Sequence, residues 1–298
     1  MSAFIDAHRE RFGVEPICET LGVSASAYYQ RATGQRSARQ LEDERLLGVI
    51  IELHAHNYYA YGSRRMWKAL LRGGEQVGRS RVERLMRQNG IQGAKRRGKP
   101  WRTTRADPAA LRSPDRVKRD FTASRPDEKW FADFTYLRCW EGLVFFSFVI
   151  DAYSRRIVGW QFASHMRTDL VLDALRMALH QRAPGADVSL VAHSDAGSQY
   201  TSFDYTQTLD DAGVLGSIGT VGDAYDNAAA ESFVDTFKTE LIADRTWTSR
   251  SQLELAIVKY VAWFNNERIH ENLNDRPPRE IEELYAVKRE PTIPIKRR

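Results

Sequence analysis

The spacing of apolar positions changes along this chain, and each change marks a segment. Residues 3–12 read as a short helix, and VEPICETLGVSASAYYQR follows from Val14. There Ile17 and Leu21 precede a Gly22-Val23-Ser24 break, which predicts helix, tight turn and second helix, with Ser24 or Ser26 as the cap. A helix-turn-helix and a plain helical hairpin both fit, because the second helix is poor in residues that read DNA. Residues 38–56 predict a longer helix with an apolar stripe of Leu41, Leu46, Leu47, Ile50, Ile51 and His54. Gly62-Ser63 opens another, with Met66, Leu70 and Leu71 inward, Arg64, Arg65 and Lys68 partly outward, and Gly73-Gly74 at its end. VGRSRVERLMRQNGI predicts one more, with Val82, Leu85 and Met86 on its apolar side and Asn89-Gly90 closing it.

From Lys129 the period shortens to two. KWFADFTYLRC, GLVFFSFVIDAYS and RRIVGWQFA predict three strands joined by tight turns, hence an antiparallel meander. A helix over 168–180, a strand over 187–192, a helix in SFDYTQTLDDAG and a strand at VLGSI follow. GDAYDNAAAESFVDTFKTELI predicts a helix beginning near Ala224 to Asn227. Residues 250–267 form a long amphipathic helix, with Leu253, Ala256, Ile257, Tyr260, Val261 and Phe264 on one side, and Pro277-Pro278 precedes a last short helix. The fold class is α/β, a mixed sheet with flanking helices preceded by a small all-helical region. Five segments are expected: an N-terminal helical hairpin or helix-turn-helix (1–37), a helix-turn-helix-like domain (38–92), a basic linker (93–126), a mixed-sheet core (127–245), and a C-terminal helical extension and tail (246–298).

With 298 residues, 42% apolar and 28% charged, the composition is that of a globular protein. The net charge of +5 matters less than its distribution: Lys95 to Arg119 holds ten Lys or Arg against two Asp. Such a cluster suits a polyanionic partner, or a solvated linker that aids solubility. Arg64, Arg65, Arg79, Arg81, Arg84 and Arg87 on the helices, and Lys95, Arg96, Arg97 and Arg102 beyond them, are candidate DNA contacts. Cys18 and Cys139 have no zinc spacing and read as reduced structural thiols. No run reaches membrane-spanning length and the N-terminus has no apolar signal core, so the expected location is cytoplasmic, prokaryotic and nucleoid-associated, with no membrane partner.

Three acidic residues are candidates for a metal-binding carboxylate cluster. Asp133 falls mid-strand on the same side as Phe131 and Thr135, Asp195 just past the fourth strand, and Glu231 inside a helix. Hard divalent cations take oxygen ligands, and two of them bridged by a shared aspartate could activate a nucleophile and stabilise a leaving oxygen at a phosphodiester. Convergence requires the first and fourth strands to be neighbours. Asp151, Asp223, Asp226 and Asp235 are rival ligands, and Asp133 could instead be an ordinary polar residue on a solvent-facing strand and Glu231 a surface glutamate paired with Lys238.

WFADFTYL, VIDAYSRRIVGW, HSDAGSQYTS, GDAYDNAAAESFVDTFKTEL and WFNNERIHENLNDRPP, with YGSRRMWKAL and GRSRVERLMRQNGI upstream, resemble the catalytic (OrfB) subunit of IS3-family insertion-sequence transposases, within the retroviral-integrase superfamily. The resemblance puts the family's DDE triad on Asp133, Asp195 and Glu231, with the characteristic 35 residues between the last two. It implies a ribonuclease H-like core, two Mg²⁺ or Mn²⁺ ions per active site, and cleavage and joining of double-stranded DNA at terminal inverted repeats and a target. It further implies that Lys238, Gln199, Arg268 and His270 contact DNA and that His193, Ser194 and Asn227 support the site. An upstream-frame OrfA partner or frameshift fusion, and a homo-oligomer on DNA, are implied as well; no leucine-zipper heptad occurs in this chain. Thr220 and Val221 depart from the family's serine-rich and polar pattern, which bears on DNA affinity or target preference rather than on the triad. The competing readings are a non-catalytic DNA-binding regulator or domesticated relic, and a ribonuclease H-like nuclease without strand transfer.

Overall fold

The computed structural model describes residues 1–34, 36–95, 113–118, 120–184, 189–219 and 228–289. The chain divides into two compact units: Met1–His56 with Tyr61–Gln92, and Asn57–Ala60 with Gly93–Arg298.

The first unit is helical. α1 (Ser2–Phe12), α2 (Val14–Thr20) and α3 (Ala25–Ala32) enclose Ile5, Val14, Ile17, Cys18 and Tyr28. Gly22, at φ 62°, makes the turn after α2, where the Val23 amide donates to the Cys18 carbonyl (2.9 Å). Ser24 is the cap of α3, accepting from the Ala27 amide at 3.3 Å. α4 (Ala38–His56), α5 (Ser63–Arg72) and α6 (Arg79–Gln88) follow. The buried stripe of α4 is narrower than its apolar pattern: Leu46, Ile50 and His54 are buried at i, i+4, i+8, while Leu41 and Ile51 are exposed. Arg81 and Arg84 of α6 both close on Asp43 of α4, each at 2.7 Å.

The second unit is built on a five-stranded sheet of order β3-β2-β1-β4-β5. β1 (Lys129–Cys139), β2 (Gly142–Asp151) and β3 (Ile157–Ala163) form the predicted antiparallel meander. β4 (Val191–Ser194) lies parallel to β1, and β5 (Leu215–Ile218) parallel to β4. The fourth strand therefore extends through His193 and Ser194, later than its predicted 187–192. Parallel neighbours require helical crossovers, which α7 (Thr168–Arg182) and α8 (Phe203–Asp211) supply. Trp130, Ala132, Val149, Val158 and the apolar side of α7 share one core with Tyr200, Tyr205 and Leu209. The other face carries α9 (Ala228–Phe237), which continues into a π-helical turn (Lys238–Ile242), and α10 (Arg250–Asn266). Phe233 and Phe237 of α9 meet Phe148 (4.5 Å) and Phe146 (4.9 Å) of β2. α11 (Pro278–Arg289) ends the described chain.

Part of the expected linker is ordered against the sheet edge. The Arg116 amide donates to Ser217 Oγ at 2.9 Å, and Val117 is buried. Tyr58, from the tetrapeptide that joins this unit, packs on Tyr260 and Trp263.

Candidate active site

The last residue pair of the β1–β4 ladder is Ala132 with Ser194. The next residues along the two strands are Asp133, mid-way along β1, and Asp195, just past the end of β4, so the parallel register sets them side by side. Alternation keeps Asp133 on the face of its β2 partner Phe148, the face that α9 covers through Phe233. Glu231 lies in the first turn of α9. Packing by the two phenylalanines thus fixes which helix brings a carboxylate to the sheet.

Asp133 records the resulting field. Burial pushes its carboxyl well above the usual range, and the charges of Asp195 and, more weakly, Glu231 push the same way. The Phe134 amide, donating to Oδ1 at 2.8 Å, and the Lys238 charge oppose the rise. Asp195 is half-buried and accepts from the Gly197 amide at 3.1 Å; Glu231 is exposed. Lys238 sits over the Tyr136 ring, 4.9 Å from its centroid. Burial lowers its pKa, and Asp133 and Asp235 counter that effect.

Among the described residues, no three His, Cys, Asp or Glu side chains are gathered as a ready metal cage. The donor set nevertheless fits a hard divalent cation: oxygen ligands only, one within a strand, one just past a strand end and one on a helix, with the half-buried Asp133 carboxyl facing like charges. A cation is the counter-charge that lets such a group ionise.

The neighbouring motif residues divide sharply. His193 is 1% exposed, its Nδ1 2.9 Å from Ser217 Oγ and its ring edge-on to Phe131. It lies too deep for phosphate and braces β4 against β5. Ser194 is buried too, and its carbonyl accepts from the Gly219 amide. Gln199 donates to the Met166 carbonyl at 3.0 Å, tying the loop after β3 to the loop after β4. Asn227, Asp223, Asp226, Thr220 and Val221 lie outside the described residues, as do Arg96, Arg97 and Arg102.

Burial gives Asp151 and Arg268 partners that the sequence did not suggest. Asp151 is no rival ligand: its fully buried carboxylate accepts from the amides of Asp127 (2.7 Å), Tyr153 (3.1 Å) and Ser154 (2.8 Å) and from Ser154 Oγ (2.9 Å). It organises the turn after β2. Arg268, expected at DNA, is 3% exposed, and its guanidinium donates to both carboxylate oxygens of Glu240 at 2.8 and 2.7 Å. His270 packs beside it, on Phe264. Arg81 and Arg84 are engaged with Asp43, whereas Arg79, Arg87 and Lys95 are exposed and Arg64 and Arg65 half-buried. Sequence reasoning also missed a clamp on α11. Glu282 accepts from Arg182, Arg156 and Ser154, and Arg182 reaches Asp127. No local pattern announces partners a hundred residues apart.

A mixed sheet with aspartates side by side on adjacent parallel strands and a glutamate on the covering helix is the arrangement of an integrase-type catalytic core. Family profiles agree: "Integrase core domain" matches residues 123–224 and again 212–278, and "HTH-like domain" matches residues 40–99. The transposase for insertion sequence element IS629 of Shigella sonnei is 43% identical over 96% of this chain and 96% of its own. The putative transposase for IS986/IS6110 of Mycobacterium tuberculosis is 43% identical over 90% of this chain and 98% of its own. A solved HTLV-2 integrase catalytic core domain in complex with magnesium aligns over 54% of this chain and 99% of that one, with 14% identity and a TM-score of 0.43, a likeness too loose to carry weight. The chain belongs to the IS3 family of insertion-sequence transposases, as an OrfB-type catalytic protein. It is a DNA transposase, an enzyme of the DDE class that cleaves and joins DNA strands. No described helix is long and apolar enough to cross a membrane.

Proposed function

We propose that Asp133, Asp195 and Glu231 are the catalytic carboxylates and that together they hold two divalent cations, Mg²⁺ or Mn²⁺. The observation that most supports this is the β1–β4 register, which sets Asp133 next to Asp195, with the charges of Asp195 and Glu231 both acting on the half-buried Asp133 carboxyl. When bound, the cations supply Lewis acidity at the phosphodiester and a nucleophile usable at neutral pH. The chain supplies placement. β1 and β4 hold the two aspartates at a fixed separation, and Glu231 approaches on α9, anchored by Phe233 and Phe237. Lys238, held over Tyr136, contacts the phosphate beside the reacting bond.

The substrate is the double-stranded DNA of an insertion sequence's terminal inverted repeats, then a target. In cleavage, a water oxygen bonds to phosphorus as the bond to the 3′ oxygen breaks, and a free 3′-hydroxyl results. In joining, that hydroxyl attacks a second phosphodiester and displaces its 3′ oxygen, with no covalent protein intermediate. The first attack joins the two ends of one strand, giving a figure-eight and then a circle. Exposed Arg79, Arg87 and Lys95, with Arg64 and Arg65, contribute phosphate contacts outside the reacting centre. Two ends must be brought together, so the working form is a homo-oligomer on DNA, in the bacterial nucleoid, with an upstream OrfA partner or fusion supplying further end recognition.

The test is Glu231→Gln, which keeps shape and removes charge. Cleavage and joining of labelled element ends in Mg²⁺ are expected to fall at least about a thousandfold, on the scale seen when a catalytic group is lost. Undiminished activity would remove Glu231 from the site. Product analysis on a target duplex separates joining from simple hydrolysis.

A further inference from the structure

The helical unit carries a charge arrangement that its packing does not require. α6 presents four arginines, Arg79, Arg81, Arg84 and Arg87, against one glutamate, Glu83, in ten residues. Its apolar side, Val82, Leu85 and Met86, is buried, so the core fixes how the helix lies. The turn before it is pinned by both neighbouring helices. Trp67 Nε1 of α5 donates to the Val77 carbonyl at 2.9 Å, and Arg45 of α4 gives both amino groups to the Glu75 carboxylate at 2.8 and 2.6 Å. When a held turn leads into a second helix in this way, the first turn of that helix is the part that reaches base edges in the major groove. Arg81 is the third residue of α6 and lies in that first turn. Asp43 of α4 accepts from Arg81 Nε on one oxygen and from Arg84 Nη2 on the other, each at 2.7 Å. Arg84 is held a second time, its Nη1 donating to Gln88 at 3.0 Å. Arg81 is held through Nε alone, and among the described residues its two amino groups meet no acceptor. Its side chain stays 31% exposed, against 16% for Asp43. The fork is thus set in orientation with its outer pair of donors unspent. Fastening α4 to α6 needs one arginine and no open donor edge. Two guanidinium groups on one carboxylate leave an excess of positive charge that an anionic partner offsets.

We propose that Arg81 reads a guanine in the major groove of the terminal-repeat DNA, its two free amino groups meeting O6 and N7, and that Asp43 is its positioning residue. The assignment depends on terminal repeats being this chain's substrate. Paired donors at a fixed spacing match the two acceptors that guanine, alone among the bases, presents side by side in that groove. Holding Nε in advance removes rotamer freedom that an untethered arginine loses on binding. Arg79 and Arg87, exposed and not bonded to Asp43, contact phosphate and add affinity without preference for sequence.

The experiment uses the full chain as wild type, Arg81→Ala, Asp43→Asn and Arg79→Ala. Each is melted and then titrated, well below its melting temperature, onto duplexes of the terminal repeat and onto a scrambled duplex. In successive repeat duplexes one guanine is replaced by 7-deazaguanine, which lacks the N7 acceptor. In wild type, replacement at one position is expected to weaken binding about 5- to 10-fold, the lower end of a bidentate contact. Arg81→Ala binds the unmodified repeat about tenfold more weakly and shows no penalty at that position. Asp43→Asn keeps the position but shrinks its penalty to about twofold, because the fork is no longer firmly held. Arg79→Ala weakens every duplex alike, lowers the salt dependence and keeps the full penalty. The Arg81 assignment is overturned if wild type shows no such guanine, or if the penalty persists in Arg81→Ala. The Asp43 assignment is overturned if Asp43→Asn keeps the full penalty or does not fold. If wild type binds the scrambled duplex as tightly as the repeat, the substrate assignment itself has failed. If wild type prefers the repeat and no guanine penalty depends on Arg81, the substrate assignment stands and the guanine contact falls.

Discussion

Arg268 shows how a residue's chemistry depends on what surrounds it. In the sequence it sits in ERIHENLN, a polar stretch in which an arginine and a histidine suggest phosphate. In the fold its fork closes on Glu240, which also accepts from Tyr260 at 2.9 Å, and its plane lies over Phe264. Removing one partner of a buried pair leaves the other charge in a poor solvent. Arg268→Ala should therefore cost about 3–5 kcal/mol of unfolding free energy, measured in urea. Wild-type stability in that variant would mean that Glu240 is readily solvated. The three acidic positions behaved differently, because strand alternation and spacing are local: Asp133 could be placed within a strand and Asp195 just past one from their neighbours alone.

Secondary structure was the most legible level. The aromatic, alternating runs around Asp133 and Phe146 can be buried only as strands, and β1, β2 and β3 match them. What the pattern did not carry was how closely elements approach. Gly159 on β3 lies against α7 so tightly that an added Cβ would stand 2.1 Å from the Ala174 carbonyl oxygen and 2.8 Å from Ala178 Cβ. Those obstacles are helix backbone and a short side chain, with no rotamer to escape into. Gly159→Ala should lower stability by at least the roughly 1–3 kcal/mol typical of overpacking, seen as a drop in melting temperature. An unaltered melt would mean that α7 can shift off the sheet freely. The stripe on α4 failed for a related reason: Leu41 and Ile51 are apolar by composition, but the bundle presents no surface to them.

At the scale of the molecule, the two units hold different electrostatic devices, and acid separates them. In the helical unit, hydrogen bonds from Arg81 and then Arg84 hold the Asp43 carboxyl below its ordinary range. A depressed folded pKa gives stabilisation that is fully present above the unfolded carboxylate value, about 4, and is lost as pH falls through the folded value. Asp43→Asn should be less stable than wild type at neutral pH, and the gap should close on acidification. Urea melts across that range check it; a gap independent of pH would mean the pair acts through packing alone. In the catalytic unit Asp133 and Asp151 lie on the opposite side of the ledger, since burial raises both and their ionised forms oppose folding as pH rises.

The sequence by itself determined the elements, the order of the strands in the meander, the three acidic positions and the family, because periodicity and motif spacing are properties of neighbouring residues. Only the tertiary structure decided which charges are solvated and which are enclosed. It put Asp133 beside Asp195 by pairing β1 with β4, and it enclosed Arg268, Asp151 and His193. Burial is set by residues distant in the chain, and in a low-dielectric interior burial decides whether a polar group is a brace, a ligand or a contact for DNA.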